Sequence, residues 1–128
     1  MGLDMYLEGR KHPRYGHDRK EDGFTVNQIT VELGYWRKHP NLHGFIVKNF
    51  ADGNDNCEPI YLDADDINTI IKAVKKKVLP HTEGFFFGIS DGSDEESAFD
   101  IKTFKTALKW LQTTDDQCTR GVYYTASW

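Results

Sequence analysis

Apolar and polar residues alternate along two stretches near the start of the chain, which is the pattern of a β-strand with one buried face. Leu3, Met5 and Leu7 alternate with polar or aromatic positions and predict the first strand. Residues 24–35 alternate as well and carry β-branched side chains on both faces, which predicts a second strand paired with the first. The polar residues 10–23 between them predict a mobile loop.

Three later stretches have the spacing of three and four residues that is typical of a helix with one buried face. Pro40 suits the first turn of the first helix, because its missing N–H would have no partner there. Asp63 and Asp100 are the predicted N-caps of the second and third helices. The predicted buried stripes are Leu42, Phe45, Ile46 and Phe50; Ile67, Ile70, Ile71, Val74 and Val78; and Ile101, Phe104, Leu108 and Leu111.

Three short apolar segments predict further strands: residues 60–62, the sequence GFFFGI at 84–89, and the terminal residues 121–128. We expect the phenylalanines of GFFFGI to lie in the core, and residues 91–96 to form an acidic loop. The resulting order is β-β-α-β-α-β-α-β. This order predicts a single α+β domain, residues 1–128, with three helices packed on a mostly antiparallel sheet of about four to five strands.

Composition narrows the class of protein. The chain has eight Phe, six Tyr and three Trp, enough aromatic area for a hydrophobic core. A formal net charge of −4 argues against duplex nucleic acid as a partner, because cationic side chains must meet its phosphates. The sequence shows neither a membrane-spanning apolar run nor a signal-peptide pattern, so we expect a cytoplasmic protein. Cys57 and Cys118 are expected as free thiols, with a disulfide and homo-oligomerisation through edge strands left open.

Residues 35–57 contain two patterns that resemble metal sites. His39 and His43 have the spacing of two ligands on one helix face. His39, however, precedes Pro40 and so avoids helical geometry. A calcium loop starting at Asp52 lacks the glycine and the glutamate that such a loop needs at its sixth and twelfth positions. We therefore expect no metal and no cofactor, although Asp52, Asp55 and Cys57 could still meet His43 in space.

Catalysis is a weaker hypothesis than binding. Cys57 and His43 could form a nucleophile and its base, and His43 could act as the base of a hydrolase or transferase with Asp52 or Asp55 orienting it. The chain has no nucleophile-elbow motif and no glycine-rich phosphate loop. No complete catalytic constellation is visible, so the sequence favours a protein that is not an enzyme.

An aromatic and cationic cluster stands just before the first helix. Trp36, Arg37 and Lys38 meet a helix start, where free N–H groups attract anions. Arginine can grip a phosphate with two hydrogen bonds, and tryptophan can stack on a base. In the alternative interpretation, Trp36 belongs to the core and the two cations are solvated.

Several segments together resemble a group of short bacteriophage and prophage proteins with no established activity. They are MGLDMYL, GYWRK followed by Asn41 and His43, DNC, GFFFG and the terminal YYTASW. The polar residues shared with that group either pair with one another to shape a loop or await a ligand, and the resemblance to phage proteins favours a ligand site. The predicted ligand-binding residues are Trp36, Arg37, Lys38, Asn41, His43, Asp52, Asp55, Asn56 and Cys57.

The sequence hypothesis is therefore a phage accessory protein that sequesters an anionic small molecule in the host cytoplasm, such as a nucleotide-type signal of host defence. An alternative is an inhibitor that binds a host protein. Its contact surface would include Tyr123, Tyr124, Trp128 and the acidic residues 91–96, because aromatic residues dominate binding hot spots.

Overall fold

The computed structural model describes residues 2–84 and 87–128. Within these ranges the chain forms six strands and three helices. They are β1 (Asp4–Pro13), β2 (Arg19–Glu21), β3 (Phe24–Val26), β4 (Ile29–Arg37), α1 (Pro40–Phe50), β5 (Ile60–Leu62), α2 (Ala64–Lys75), α3 (Asp94–Gln112) and β6 (Cys118–Ser127).

Four of the strands form one antiparallel sheet in the order β4-β1-β6-β5. The first and last strands of the chain are its two central strands. β2 and β3 form a separate two-stranded sheet. The predicted α+β class, with three helices and a mostly antiparallel sheet, is confirmed.

The alternation in β1 decides which face of the sheet is covered. Leu3, Met5 and Leu7 are fully buried, and they point to the same side as Val122 and Tyr124 of β6. The helices pack on this side. The fully buried large side chains are Tyr124, Phe104, Leu3, Met5, Leu7, Leu42, Ile46, Leu62, Ile67, Ile70, His43 and Val74.

Two predicted segments near the N-terminus have more structure than expected. β1 continues to Pro13 by pairing with β6, and β2 lies at Arg19–Glu21, inside the predicted mobile loop. The predicted second strand is divided into β3 and β4. Backbone pairing satisfies the N–H and C=O groups of these polar residues while their side chains face water, so strands form there without an apolar pattern.

The starts of α1 and α2 were predicted correctly. α1 begins at Pro40, and α2 has Asp63 as its N-cap in a capping box, since Asp63 and Asp66 each accept the other's backbone N–H. Within the predicted stripes, Phe45 and Phe50 are only half-buried. Val78 lies beyond the end of α2 and is exposed.

The start of α3 was predicted wrongly. The helix begins at Asp94, and its N-cap is Ser93, whose hydroxyl accepts the N–H of Glu96 at 3.1 Å. Three acidic residues of the expected loop therefore occupy the first turn, where the helix dipole favours negative charge. Asp100 is not a cap but a buried residue inside the helix.

The GFFFGI strand falls partly outside the described residues, which exclude Phe85 and Phe86. The described residues of that segment, Gly84 and 87–89, are not in a strand. Phe87 is buried, as expected of a core residue.

Both thiols are free; Cys57 is exposed and Cys118 is buried. Among the described residues, no helix combines the length and the hydropathy that a bilayer crossing requires.

Candidate functional site

A buried carboxylate on the inner side of α3 connects three parts of the fold. The Asp100 side chain is about 1% exposed. Its Oδ1 accepts the indole N–H of Trp36, near the end of β4, at 2.7 Å. Its Oδ2 lies 2.7 Å from Nε2 of His39, just before α1. The carboxylate is thus fixed between two rings that belong to other elements.

His39 is oriented by its position before proline. It holds a non-helical backbone conformation at the N-cap of α1, and its side chain does not cap that helix. The ring turns inward, and its Nδ1 lies 2.7 Å from the hydroxyl of Ser90. Ser90 Oγ also accepts the N–H of Asn41 at 3.0 Å, so it caps α1 in place of His39. If Ser90 donates to Nδ1 and His39 Nε2–H donates to Asp100, every group has a partner.

Glu96 brings a second carboxylate to the same ring nitrogen. Its Oε1 lies 3.6 Å from Nε2 of His39. The carboxylate is held from behind by two backbone N–H groups, those of Asp91 at 2.8 Å and Gly92 at 3.0 Å. We call His39, Glu96 and Asp100 the His39 cluster; one nitrogen or oxygen atom of each lies within 4.8 Å of the others.

The His39 cluster opens onto a cleft of about 210 Å³, which we call the His39 cleft. Its cation, Lys77, already pairs with Asp94 at 2.5 Å. The remaining charged groups of the lining are the two carboxylates of the cluster. The lining residues are His39, Asn41, Val74, Lys77, Leu79, Gly92, Glu96, Ser97 and Asp100.

The cationic and aromatic residues predicted as a pocket before Pro40 lie in different environments. Trp36 is a core residue, about 5% exposed, and stacks on Phe104 at 5.4 Å between ring centroids. Arg37 pairs with Asp4 at 3.3 Å on the other face of the sheet. Lys38 is exposed. None of these three lines the His39 cleft.

His43 belongs to a second buried cluster. Its Nδ1 lies 2.6 Å from the hydroxyl of Tyr124, and its Nε2 lies 2.9 Å from Oδ1 of Asp55. The rings of Phe87 and Trp128 meet it edge-on, with centroids 5.3 and 5.5 Å away. Both nitrogens of this imidazole are therefore engaged, and its ring is enclosed by aromatic groups.

His43 lines a shallow groove of about 380 Å³ and also a second cavity that is too small for a substrate. The second cavity measures about 10 Å³ and is lined in part by Asp55, Asn56 and Cys57, so these predicted residues do meet His43. A space of that size holds at most a water molecule. Burial, and then the charge of Asp55, raises the pKa of Tyr124, so its hydroxyl stays protonated instead of serving as a base. Asp52 lies in the turn after α1 with φ of +52°.

The predicted ligand-binding residues therefore do not share one hollow. Asn41 lines the His39 cleft, where its side-chain oxygen accepts the N–H of Thr82 at 3.0 Å. His43 does not line that cleft and lies instead at two other cavities. The predicted partner surface is divided as well. Tyr124 is fully buried and Trp128 lies against His43, while Tyr123 is on the opposite sheet face.

Sequence reasoning missed Ser90, Glu96 and Asp100 as members of a site. One signal was available: Ser93 and Glu96 have the spacing of a capping box and mark the true start of α3. A helix beginning there makes Asp100 an interior position. Its pairing with His39, 61 residues away, depends on the tertiary fold.

A scan against models of protein families and searches of curated proteins and of solved structures found no match to this chain. The resemblance to the phage proteins stays a prediction, and function is inferred from the geometry of the two clusters.

Proposed function

We propose that the protein binds a small, positively charged ligand in the His39 cleft. The observation that carries the proposal is the convergence of Glu96 and Asp100 on one imidazole nitrogen at the wall of a cleft. The residues around them fix this arrangement before any ligand arrives.

Electrostatics favours a cation over an anion at this wall. Asp100 is buried, and each of its oxygens has a hydrogen-bond partner, the indole of Trp36 or the imidazole of His39, which leaves further lone pairs for a cation. The indole is neutral, so it does not cancel the carboxylate charge. The carboxylate of Glu96 lies close enough to repel that of Asp100, and a bound cation would relieve this repulsion. Binding would therefore be strongest for a ligand that places its charge between Glu96 and Asp100.

The size of the cleft restricts the ligand. Pockets for drug-sized molecules measure roughly 300–1,000 Å³, and the His39 cleft is smaller, at about 210 Å³. Val74 and Leu79 give it an apolar side, whereas the two carboxylates lie on α3. A metal ion or a short organic ammonium ion fits this combination of volume and charge.

A thermal-shift screen with inorganic and short organic cations, followed by calorimetric titration, tests the proposal. At least one cation should bind the wild-type protein and bind Glu96→Gln more weakly. Glu95→Gln is the matched control, because Glu95 is an exposed neighbour in the same helical turn. Failure of every cation to bind, or equal weakening by both variants, would contradict the proposal.

A second candidate function, hydrolysis, is favoured by the hydrogen-bond order Ser90–His39–Asp100, which is that of a nucleophile, its base and an orienting carboxylate. Ser90, however, does not line the His39 cleft, and its oxygen caps α1. Labelling by a fluorophosphonate probe, lost in Ser90→Ala, would support this candidate. An unlabelled wild-type protein would exclude an activated Ser90.

Binding of an anionic ligand near Arg37 and Lys38, as expected from the sequence, remains a prediction. Arg37 pairs with Asp4, and Lys38 lies outside the His39 cleft. Titration with a panel of nucleotides tests that prediction independently of the cation screen.

A further inference from the structure

We propose that the positively charged ligand is a divalent transition-metal ion coordinated by His39 Nε2, one Glu96 oxygen and Asp100 Oδ2. This inference rests on the proposed function and narrows its ligand class. It assigns the His39 cluster as a three-ligand metal site with its remaining coordination positions toward the cleft.

The distances from His39 Nε2 to the two carboxylates are near those that a shared ion requires, and all three ligand atoms lie within 4.8 Å of one another. Bonds of about 2.0–2.2 Å to nitrogen and oxygen place neighbouring ligands roughly 3.0–3.5 Å apart. Nε2 of His39 lies 2.7 Å from Oδ2 of Asp100 and 3.6 Å from Oε1 of Glu96. A side-chain shift of well under 1 Å, roughly the gap between 2.7 Å and these separations, would part His39 and Asp100 far enough for an ion. The distance between His39 and Glu96 would need little change.

Each proposed ligand already has a partner on its far side, an arrangement that orients metal ligands in proteins. His39 Nδ1 faces Ser90, and Oδ1 of Asp100 accepts from Trp36. Glu96 accepts two backbone N–H groups. These contacts use atoms other than His39 Nε2 and Asp100 Oδ2, so they can persist when an ion replaces the hydrogen bond between those two atoms.

The proton on His39 must move for coordination to occur. In the hydrogen-bonded arrangement Nε2 carries the proton, whereas a metal needs the lone pair of that nitrogen. The neutral imidazole can instead carry its proton on Nδ1 and donate it to Ser90 Oγ. That hydroxyl has two lone pairs, so it can accept from both His39 and the N–H of Asn41. The change is a tautomer switch with no net loss of a proton.

The ligand types select the class of metal. Imidazole favours zinc, iron, copper and nickel, and carboxylates favour manganese, calcium and magnesium. A site with one imidazole and two carboxylates suits zinc, manganese or ferrous iron. Cys57 and Cys118 are not part of the cluster, so thiolate-dependent copper(I) binding is not expected.

The test is calorimetric titration of untagged, chelator-treated and dialysed protein with zinc and, separately, with manganese. The variants are Glu96→Gln and Asp100→Asn. The matched controls are Glu95→Gln and His81→Gln, which remove an exposed carboxylate and an exposed imidazole. We expect one site in the wild type and both controls, and affinity lower by more than about tenfold in each cluster variant.

Two outcomes would overturn the inference: no binding of either metal, or equal affinity in the cluster variants and the controls. Circular dichroism of metal-free protein checks that Asp100→Asn is folded, and Glu96→Gln alone decides the case if it is not. If organic cations bind in a Glu96-dependent manner and metals do not, the inference fails while the proposed function stands. If nothing positively charged binds, both fail.

Discussion

Trp36 donates its indole N–H to the buried carboxylate of Asp100 at 2.7 Å. This bond connects the end of β4 to the interior of α3 and sets the orientation of Asp100 toward His39. The sequence had left two interpretations of Trp36 open, a ring that stacks on a ligand and a core residue, and the second is confirmed. In the fold Trp36 supports the site from behind, through its polar atom, while its ring packs on Phe104.

Trp36→Phe should lower the free energy of unfolding. Phenylalanine keeps an aromatic ring beside Phe104 but removes the donor to Asp100. Losing a hydrogen bond to a buried charged group costs about 1.5–3 kcal/mol. Urea unfolding followed by circular dichroism measures the change.

The control for this substitution is Trp128→Phe. The exposed Trp128 contacts the rings of His43 and Phe87 but contributes no bond to the Asp100 carboxylate. Trp128→Phe should therefore lower the free energy of unfolding by less than Trp36→Phe does. Equal losses would contradict a specific role for the indole N–H.

Gly34→Ala should destabilise the contact between β4 and α3. A Cβ at this position would collide with Cγ2 of Thr103 and come within 3.2 Å of the Trp36 ring. Such overpacking costs about 1–3 kcal/mol. Thr103→Ser removes the colliding methyl group, so the double variant should recover most of the loss in a thermal or urea denaturation. Purely additive losses would show that the strain lies elsewhere.

Asp115→Asn should remove part of the stability loss in acid. Hydrogen bonds from Arg120, followed by the backbone N–H of Cys118, lower the pKa of Asp115 from 3.8 to about 2. A depressed folded-state pKa contributes stability above the unfolded-state value, and this is lost as pH falls from about 4 towards about 2. The wild type should therefore show a steeper fall in urea midpoint than the variant across that range. Parallel profiles would disprove this assignment.

Tyr124→Phe should change the alkaline limb of stability. Burial, then the charge of Asp55, raises the pKa of Tyr124 well above 10.0, so this hydroxyl keeps its proton in the folded state. A group with a raised folded-state pKa adds to the free energy of unfolding below its unfolded-state pKa, and this addition is lost as pH rises above that value. The wild type should lose stability above about pH 10 more steeply than the variant.

An alkaline titration followed by the ultraviolet absorbance of ionised tyrosine gives a second check on the pKa of Tyr124. Folded wild type and Tyr124→Phe should release the same number of phenolic protons until the wild type unfolds. An additional phenolate in the folded wild type would contradict the shifted pKa.

Local signals in the sequence were sufficient for much of the fold. Pro40 and Asp63 mark helix starts by chemistry that acts within one turn, and the alternation of Leu3, Met5 and Leu7 identifies the buried face of β1. The strand at Arg19–Glu21 was missed because its pairing uses backbone groups and leaves no apolar pattern.

The candidate site could not be predicted to the same extent. His39 was set aside because it precedes Pro40 and leaves the helix, yet this same geometry turns its ring toward α3. Asp100 was interpreted as a cap because the Ser93 start of α3 was overlooked. The contact between them depends on how α3 packs against the sheet, which no local spacing encodes.

The measurement that tests the central claim most directly is a long-range ¹H–¹⁵N correlation spectrum of the histidine side chains during titration with zinc. The chain has five histidines, so each imidazole can be followed separately. We predict that Nε2 of His39 shifts first and saturates at one equivalent, and that Glu96→Gln weakens this response. First shifts at the exposed His17 or His81, with His39 unchanged at saturation, would contradict a metal site at the His39 cluster.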